Sequence, residues 1–156
     1  MIGDDFVIRP MSEADASAVA AWRYSAVHSF YDADRDSGDL VELLDPAGWG
    51  RSYFAADREH ELAGFFAFKL SGFVADIGLG LRPDLTGRGL GGSFVCCGLR
   101  FAARALGAEG YTLTVAAFNR RAIAVYERAG FRELERYEQP TNGGVHPFVR
   151  MTREGC

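Results

Sequence analysis

A glycine-rich segment is the part of this chain whose residue types are best suited to hold an anion. Residues 87–92 read Gly-Arg-Gly-Leu-Gly-Gly, and they lie between a predicted strand and a predicted helix. Glycine lets the backbone turn so tightly that several N–H groups approach one anion, and the helix N-terminus adds a partial positive charge. The segment therefore predicts a site for a phosphate-bearing molecule.

The surroundings of this segment do not fit the two common nucleotide-binding motifs, although it formally contains G-x-G-x-x-G. A dinucleotide-binding fold needs an acidic residue about 20 positions on, at the end of the next strand. Here the next strand ends in Val-Ala-Ala-Phe at residues 115–118, without an acid. A P-loop needs Lys followed by Ser or Thr after its glycines, and neither pair follows here. A tight turn without a ligand is the remaining alternative.

Two neighbouring motifs decide between these interpretations. Residues 76–81 read Asp-Ile-Gly-Leu-Gly-Leu, and residues 119–131 read Asn-Arg-Arg-Ala-Ile-Ala-Val-Tyr-Glu-Arg-Ala-Gly-Phe. With the glycine turn they resemble the GNAT superfamily of acetyl-CoA-dependent N-acetyltransferases, whose signatures are R/Q-x-x-G-x-G/A and N-x-x-A-x-x-x-Y-x-x-x-G-F. Thr86 departs from the usual Gln or Arg, which removes one long polar side chain from the edge of the site.

The resemblance implies acetyl-CoA as the acyl donor. Backbone N–H groups of the glycine turn would hold its pyrophosphate, and its pantetheine arm would lie like an extra strand between residues 73–81 and 111–116. One N–H near the end of the first strand would polarise the thioester carbonyl, and Asn119 would contact the arm. The expected cofactor-binding residues are Leu79, Leu81, Gly87, Arg88, Gly89, Leu90, Gly91, Gly92 and Asn119.

Acetyl transfer to an amine needs a neutral amine and a proton for the departing thiolate. By the same resemblance Tyr126 is the expected general acid, and Asp76 is the expected base or the binder of a cationic substrate. Two-residue alternation places Asp76 on the strand face of Gly78 and Gly80. His28, Glu61 and His146 are the rival bases.

The region before the first central strand often shapes the acceptor site in this superfamily. The expected acceptor-binding residues here are Trp22, Tyr24, His28 and Tyr31, with a core role for Trp22 as the alternative. Residues 32–38 also suggest a calcium loop, but the glycine comes one place late and Leu43 stands where Glu is needed. We expect a solvated acidic loop and no metal.

Element order predicts the fold that must position these residues. Alternating patterns, caps and turns give β-α-(α)-β-β-β-α-β-α-β-β, with a capping box at Ser12 and Asp15. This order and the resemblance predict an α+β fold, a GNAT-like three-layer α/β/α arrangement. Its central sheet is mixed and mostly antiparallel, and is splayed at the cofactor site.

Length and composition limit the class of protein. The 156 residues predict one domain spanning 1–156, and the net charge of −4 argues against a nucleic-acid partner. No apolar run reaches the length of a membrane span. The three cysteines give no disulfide framework, and we expect Cys96 and Cys97 on the core side of the helix. We therefore expect a cytoplasmic location.

The sequence leaves several functional alternatives open. The expected partners are acetyl-CoA and a primary amine, which is either a small molecule or a peptide N-terminus. A non-catalytic CoA-binding sensor is the alternative function. A homodimer is compatible with the sequence.

Overall fold

A single mixed sheet organises the chain in the computed structural model, which describes residues 6–24, 30–32, 37–49 and 52–155. Within these residues seven strands pair in the order β1-β2-β3-β4-β5-β7-β6. The strands are β1 Val7–Pro10, β2 Tyr53–Arg58, β3 Glu61–Ser71, β4 Val74–Leu81, β5 Gly110–Ala116, β6 Arg132–Thr141 and β7 Gly144–Glu154. The helices are α1 Glu13–Ala21, α2 Ser37–Leu43, α3 Gly91–Leu106 and α4 Arg120–Arg128.

The sheet separates two apolar clusters, so the predicted three-layer α+β fold is confirmed. The larger cluster lies between the sheet and the helices α3 and α4, and includes Phe66, Phe94, Tyr111 and Met151. The smaller cluster lies on the other face, where α1 and α2 contact Phe65 of β3. The central strand β3 therefore contributes side chains to both clusters, Phe66 to the larger and Phe65 to the smaller.

Several helix ends follow directly from the sequence. Ser12 and Asp15 form the predicted capping box at the start of α1. Asn119 caps α4, its Oδ1 accepting a hydrogen bond from the Ala122 N–H at 3.2 Å. Gly107 ends α3 in the left-handed region at φ 71°, where a residue without Cβ is favoured.

Two expectations about local structure need correction. Cys97 is buried, as expected, but Cys96 is exposed, because successive residues of a helix point about 100° apart. The Thr-Asn-Gly-Gly motif at residues 141–144 predicts a four-residue hairpin connection, and the observed turn is shorter. The strands continue to Thr141 and Gly144, so only Asn142 and Gly143 form the turn, both at positive φ.

The sheet opens between its two central strands. β4 and β5 run parallel and pair only from Val74–Gly110 to Asp76–Thr112. Beyond this point β4 continues to Leu81 and β5 continues to Ala116 without pairing to each other. We call this opening the gap, and its closed end at Asp76 and Thr112 the apex.

No helix in the described residues is long and apolar enough to cross a membrane. The same residues contain no group of three or more His, Cys, Asp or Glu side chains arranged to hold a metal ion.

Candidate active site

Backbone groups of both strands point into the gap. The Arg82 N–H donates to the Ala63 carbonyl on the β3 side. Because successive residues of a strand alternate direction, the N–H and C=O groups of Leu79 and Leu81 point the other way, into the gap. On β5 the Ala117 N–H donates to the Pro147 carbonyl of β7, so the Ala116 N–H points into the gap. The N–H groups of Leu79 and Leu81 thus remain as donors for an extended ligand, whereas the Leu81 carbonyl and the Ala116 N–H are hydrogen-bonded to tyrosine hydroxyls.

The glycine turn lies at the open end of the gap and leads directly into α3. We call residues 87–92 the cradle. Gly87 and Gly89 have φ values of 70° and 78°, a region that side chains with Cβ rarely enter. Leu90 is the N-cap of α3 and makes no side-chain cap hydrogen bond. The first N–H groups of α3 therefore lack a side-chain cap, as an anion site at a helix N-terminus requires.

Two further glycines of the cradle have different surroundings. A Cβ on Gly91 would come within 3.2 Å of Val125, so this glycine lets α3 lie close to α4. A Cβ on Gly92 would meet nothing within 4 Å. The described part of the chain therefore leaves space for a ligand at Gly92.

Arginines near the cradle supply positive charge. The Arg121 guanidinium lies 3.2 Å from the position that a Cβ on Gly87 would occupy. The Arg88 side chain turns back, and its Nη1 donates to the Asp84 carbonyl at 3.4 Å. Sequence reasoning did not select Arg121, although its position in the first turn of the Asn119-capped helix was the available signal. The Thr86 hydroxyl donates to the Pro83 carbonyl at 2.7 Å, so it closes the preceding turn.

Asp76 lies at the apex of the gap. Its carboxylate accepts a hydrogen bond from the Thr112 hydroxyl at 2.7 Å. Its neighbours Ala75 and Ile77 are buried in the larger cluster, so Asp76 faces the other side of the sheet, with Gly78 and Gly80. One carboxylate oxygen is thus held in place while the other is available for a proton.

Tyr126 lies on α4 and packs against the larger cluster, with its ring centroid 6.1 Å from that of Phe131. Burial raises the pKa of the Tyr126 hydroxyl well above its ordinary value, and the neighbouring Tyr31 adds to the rise. The phenol therefore stays protonated at physiological pH, which is the state that a proton donor needs.

Two tyrosines from the segment after α1 reach the walls of the gap. The Tyr24 hydroxyl donates to the Leu81 carbonyl at 2.7 Å. The Tyr31 hydroxyl accepts hydrogen bonds from the Ala116 N–H and from Asn119 Nδ2, each at 3.2 Å. Of the groups that these hydroxyls contact, the Leu81 carbonyl and the Ala116 N–H face the gap, and Asn119 caps α4.

Aromatic rings continue from Tyr31 along the same face of the sheet. Phe30 is the centre of this group, with ring centroids 5.0–6.0 Å from those of its four neighbours. Its backbone carbonyl accepts a hydrogen bond from Asn142 Nδ2 at 2.8 Å, which joins this segment to the last hairpin. We call this group the aromatic cluster; it comprises Phe30, Tyr31, Phe118, His146 and Phe148.

The remaining candidate site residues lie in different parts of the structure. Trp22 is half-buried in the smaller cluster, with its ring 6.4 Å from Phe65. Glu61 begins β3 beside Arg82, beyond the Gly64–Leu81 pair and far along β3 from the residue that pairs with Asp76. His146 belongs to the aromatic cluster. His28 and most of the 32–38 acidic stretch lie outside the described residues.

A family model for the acetyltransferase (GNAT) domain matches residues 5–132. Curated relatives include a mycothiol acetyltransferase of Streptomyces avermitilis, 38% identical over 105 residues, covering 65% of this chain and 32% of that protein. The corresponding protein of Streptomyces coelicolor is 39% identical over 102 residues, covering 63% and 31%. The chain thus spans about a third of the length of these relatives.

Solved structures share the fold over nearly the whole chain. A spermidine N-acetyltransferase from Vibrio cholerae, in complex with CoA and spermine, has a TM-score of 0.77 at 17% identity, covering 96% of this chain and 95% of that one. AAC(6′)-Ib with ribostamycin and coenzyme A has a TM-score of 0.73 at 20% identity, covering 97% and 94%. With the matching family model, the cradle and the gap, these findings show that the chain belongs to the GNAT acetyltransferase family.

Proposed function

We propose that this chain transfers an acetyl group from acetyl-CoA directly to a primary amine while both are bound. The observation that carries the proposal is the gap between β4 and β5, which opens onto the cradle and has the N–H groups of Leu79 and Leu81 pointing into it. A pyrophosphate with a long amide-containing arm needs an anion site continuous with an extended groove. Membership of the family supports the same assignment.

The residues present fit such a cofactor. Cradle N–H groups at the uncapped start of α3 would hold the pyrophosphate, and Arg121 would add charge above Gly87. Leu79 and Leu81 would pair with the arm through N–H groups that point into the gap. Arg88 and Asn119 complete the set, with Asn119 placed at the end of β5 through its hydrogen bond to Tyr31.

Three groups of this chain would serve the chemistry. When bound, acetyl-CoA supplies a thioester whose carbonyl carbon accepts the amine. Asp76 takes the proton that the amine nitrogen loses as the new C–N bond forms, and Tyr126 gives its hydroxyl proton to the sulfur as the C–S bond breaks. A backbone N–H near Leu79 donates to the carbonyl oxygen, and such a donor typically contributes about 10²–10³ in rate.

The acceptor would approach from the face that carries the segment after α1. The rings of Tyr24, Tyr31 and Trp22 lie on this side, and the hydrogen bond from Asn142 to Phe30 joins this segment to the last hairpin. This contact between segment and hairpin favours a small amine over an extended peptide. The names of the relatives agree with small amines as a class, since spermine and ribostamycin occupy two of the solved structures.

We also place this function in the cytoplasm. Acetyl-CoA is an intracellular acyl donor, and this supports the location.

A non-catalytic CoA sensor is the alternative function, because it would use the same cradle. The two are distinguished by calorimetric titration with acetyl-CoA followed by a thiol-release assay on an amine panel. The enzyme binds and releases thiol only when an amine is present. A sensor binds without turnover on any amine, and absence of binding at millimolar acetyl-CoA would contradict both.

A further inference from the structure

After its contacts with the protein, the Tyr31 hydroxyl still has its own hydrogen available to donate. Its oxygen accepts from the Ala116 N–H and from Asn119 Nδ2. No acceptor among the described residues takes its own hydrogen. A phenol has one donor, so this donor remains for a ligand at the β5 wall of the gap.

The Tyr24 hydroxyl, in contrast, uses its hydrogen and leaves its oxygen available as an acceptor. It donates its hydrogen to the Leu81 carbonyl at 2.7 Å, and its oxygen therefore remains as an acceptor at the β4 wall. Burial, with Asp32 nearby, raises the pKa of Tyr24. Burial also raises the pKa of Tyr31, although its two N–H donors act against the rise. Both hydroxyls therefore keep their hydrogens at physiological pH.

The backbone groups that the two hydroxyls contact, on Leu81 and Ala116, lie at nearly the same level along their strands. Asp76 pairs with Thr112, so counting along the parallel strands brings Gly80 level with Ala116. Leu81 is one residue further, a rise of about 3.3 Å. The two tyrosines also belong to one segment, since the Tyr24 N–H donates to Asp32 Oδ1 at 2.8 Å and Asp32 directly follows Tyr31.

A free acceptor on one wall and a free donor on the other form the complement of one trans secondary amide. Such an amide directs its N–H and its C=O to opposite sides, and the pantetheine arm of coenzyme A contains amides of this kind. We propose that Tyr24 and Tyr31 bind one amide of the cofactor arm, Tyr24 accepting from its N–H and Tyr31 donating to its C=O. This inference rests on the proposed function and gives the two tyrosines a role toward the cofactor as well as the acceptor.

The test compares a ligand that has the arm with one that lacks it. Coenzyme A and adenosine 3′,5′-bisphosphate are titrated calorimetrically into wild type, Tyr24→Phe and Tyr31→Phe. Tyr137→Phe is the matched control, because Tyr137 lies on β6 with its ring stacked on Phe148, away from the gap. Each phenylalanine variant should weaken coenzyme A binding about three- to tenfold, the range for one net hydrogen bond, and leave bisphosphate binding unchanged.

Other results would overturn the inference in distinguishable ways. Unchanged or tighter coenzyme A binding in Tyr31→Phe would show that the hydroxyl does not bind the arm. Equal loss for both ligands would show a general effect on the fold. If wild type binds neither ligand, the proposed function itself fails. Should a phenylalanine variant not fold, 3-fluorotyrosine at position 31 gives a ¹⁹F signal that must shift with coenzyme A and not with the bisphosphate.

Discussion

At the scale of single residues, the proposed chemistry depends on side chains that different elements hold in place. Asp76 is fixed by the Thr112 hydroxyl at the apex, and Tyr126 is fixed by its packing on α4. Proton transfer requires each group to be in the correct protonation state as well as the correct place. The raised pKa of Tyr126 provides that state for a donor.

Replacing Tyr126 with Phe removes the proton donor while keeping the ring. We expect kcat to fall about 10²-fold with little change in acetyl-CoA affinity, because general acid catalysis is lost and packing is kept. In wild type, no loss of kcat from ionisation of this phenol should occur below about pH 10, the ordinary tyrosine value, since burial raises its pKa. Steady-state kinetics and calorimetry provide the measurements. An unchanged kcat in the variant would remove Tyr126 from the mechanism.

Arg121 gives a second prediction at this scale. Arg121→Gln should weaken coenzyme A binding about three- to tenfold, because it removes an exposed charge beside Gly87. The effect should shrink as the salt concentration rises. Arg128→Gln is the control, since Arg128 lies in the last turn of the same helix. Equal losses in the two variants would point to net charge and not to a contact at the cradle.

At the scale of elements, the sequence predicted most of what the structure contains. Caps, glycine stops and alternation identified the helices and strands around the cradle, including α3 at Gly91–Leu106. The resemblance predicted the gap, whose position the register of β4 and β5 defines. Sequence could not predict that Tyr24 and Tyr31 reach its walls, because those contacts join residues 57 and 85 positions apart along the chain.

Gly89→Ala tests whether the shape of the cradle matters for binding. Gly89 has φ 78°, a conformation that costs a residue with Cβ about 1–2 kcal/mol. The turn should relax away from this conformation, and coenzyme A affinity should fall about tenfold or more by calorimetry.

Gly143→Ala is a matched control for that variant. Gly143 also has φ 78°, and a Cβ at either position would meet nothing within 4 Å, but Gly143 lies in the last hairpin. It should lose a similar amount of stability in denaturant unfolding and keep the wild-type affinity. Equal affinities in the two variants would contradict the assignment of the cradle.

At the scale of the whole molecule, one ion-pair network holds the first helix to the edge of the sheet. Arg9 of β1 binds Asp15 of α1 at 2.6 Å and Asp57 of β2 at 2.7 Å. Asp15 also accepts a hydrogen bond from the Ser12 N–H at 2.8 Å. The segment that carries Tyr24 follows this helix, so the network contributes to the position of the candidate site.

Acid unfolding of Asp15→Asn tests this network. Hydrogen bonds from Arg9 are the main cause that lowers the pKa of Asp15 to about 2. The carboxylate therefore stabilises the fold fully above its ordinary pKa near 4, and this contribution is lost as the pH falls toward 2. The variant should be about 1–2 kcal/mol less stable at pH 7, and the difference should narrow between pH 4 and 2. A difference independent of pH would contradict an ionic origin.

Sequence motifs predict the cofactor side of the molecule better than its acceptor side. Motif spacing predicted the cofactor and identified the family, since both predictions depend on local backbone shape at the cradle and on the Asn119-capped helix. The acceptor side depends on the aromatic cluster, which brings together Phe30, Phe118 and Phe148 from separate parts of the chain. These residues come together only in the folded chain, and no local sequence pattern indicates that they do.

The most direct test of the account is thiol release from acetyl-CoA by the purified protein over a panel of small amines, aminoglycosides, polyamines and peptides. We expect thiol release that requires an amine, with formation of the acetylated amine in equal amount, measured by mass spectrometry. Tight acetyl-CoA binding without release on any amine would contradict it and would identify a sensor.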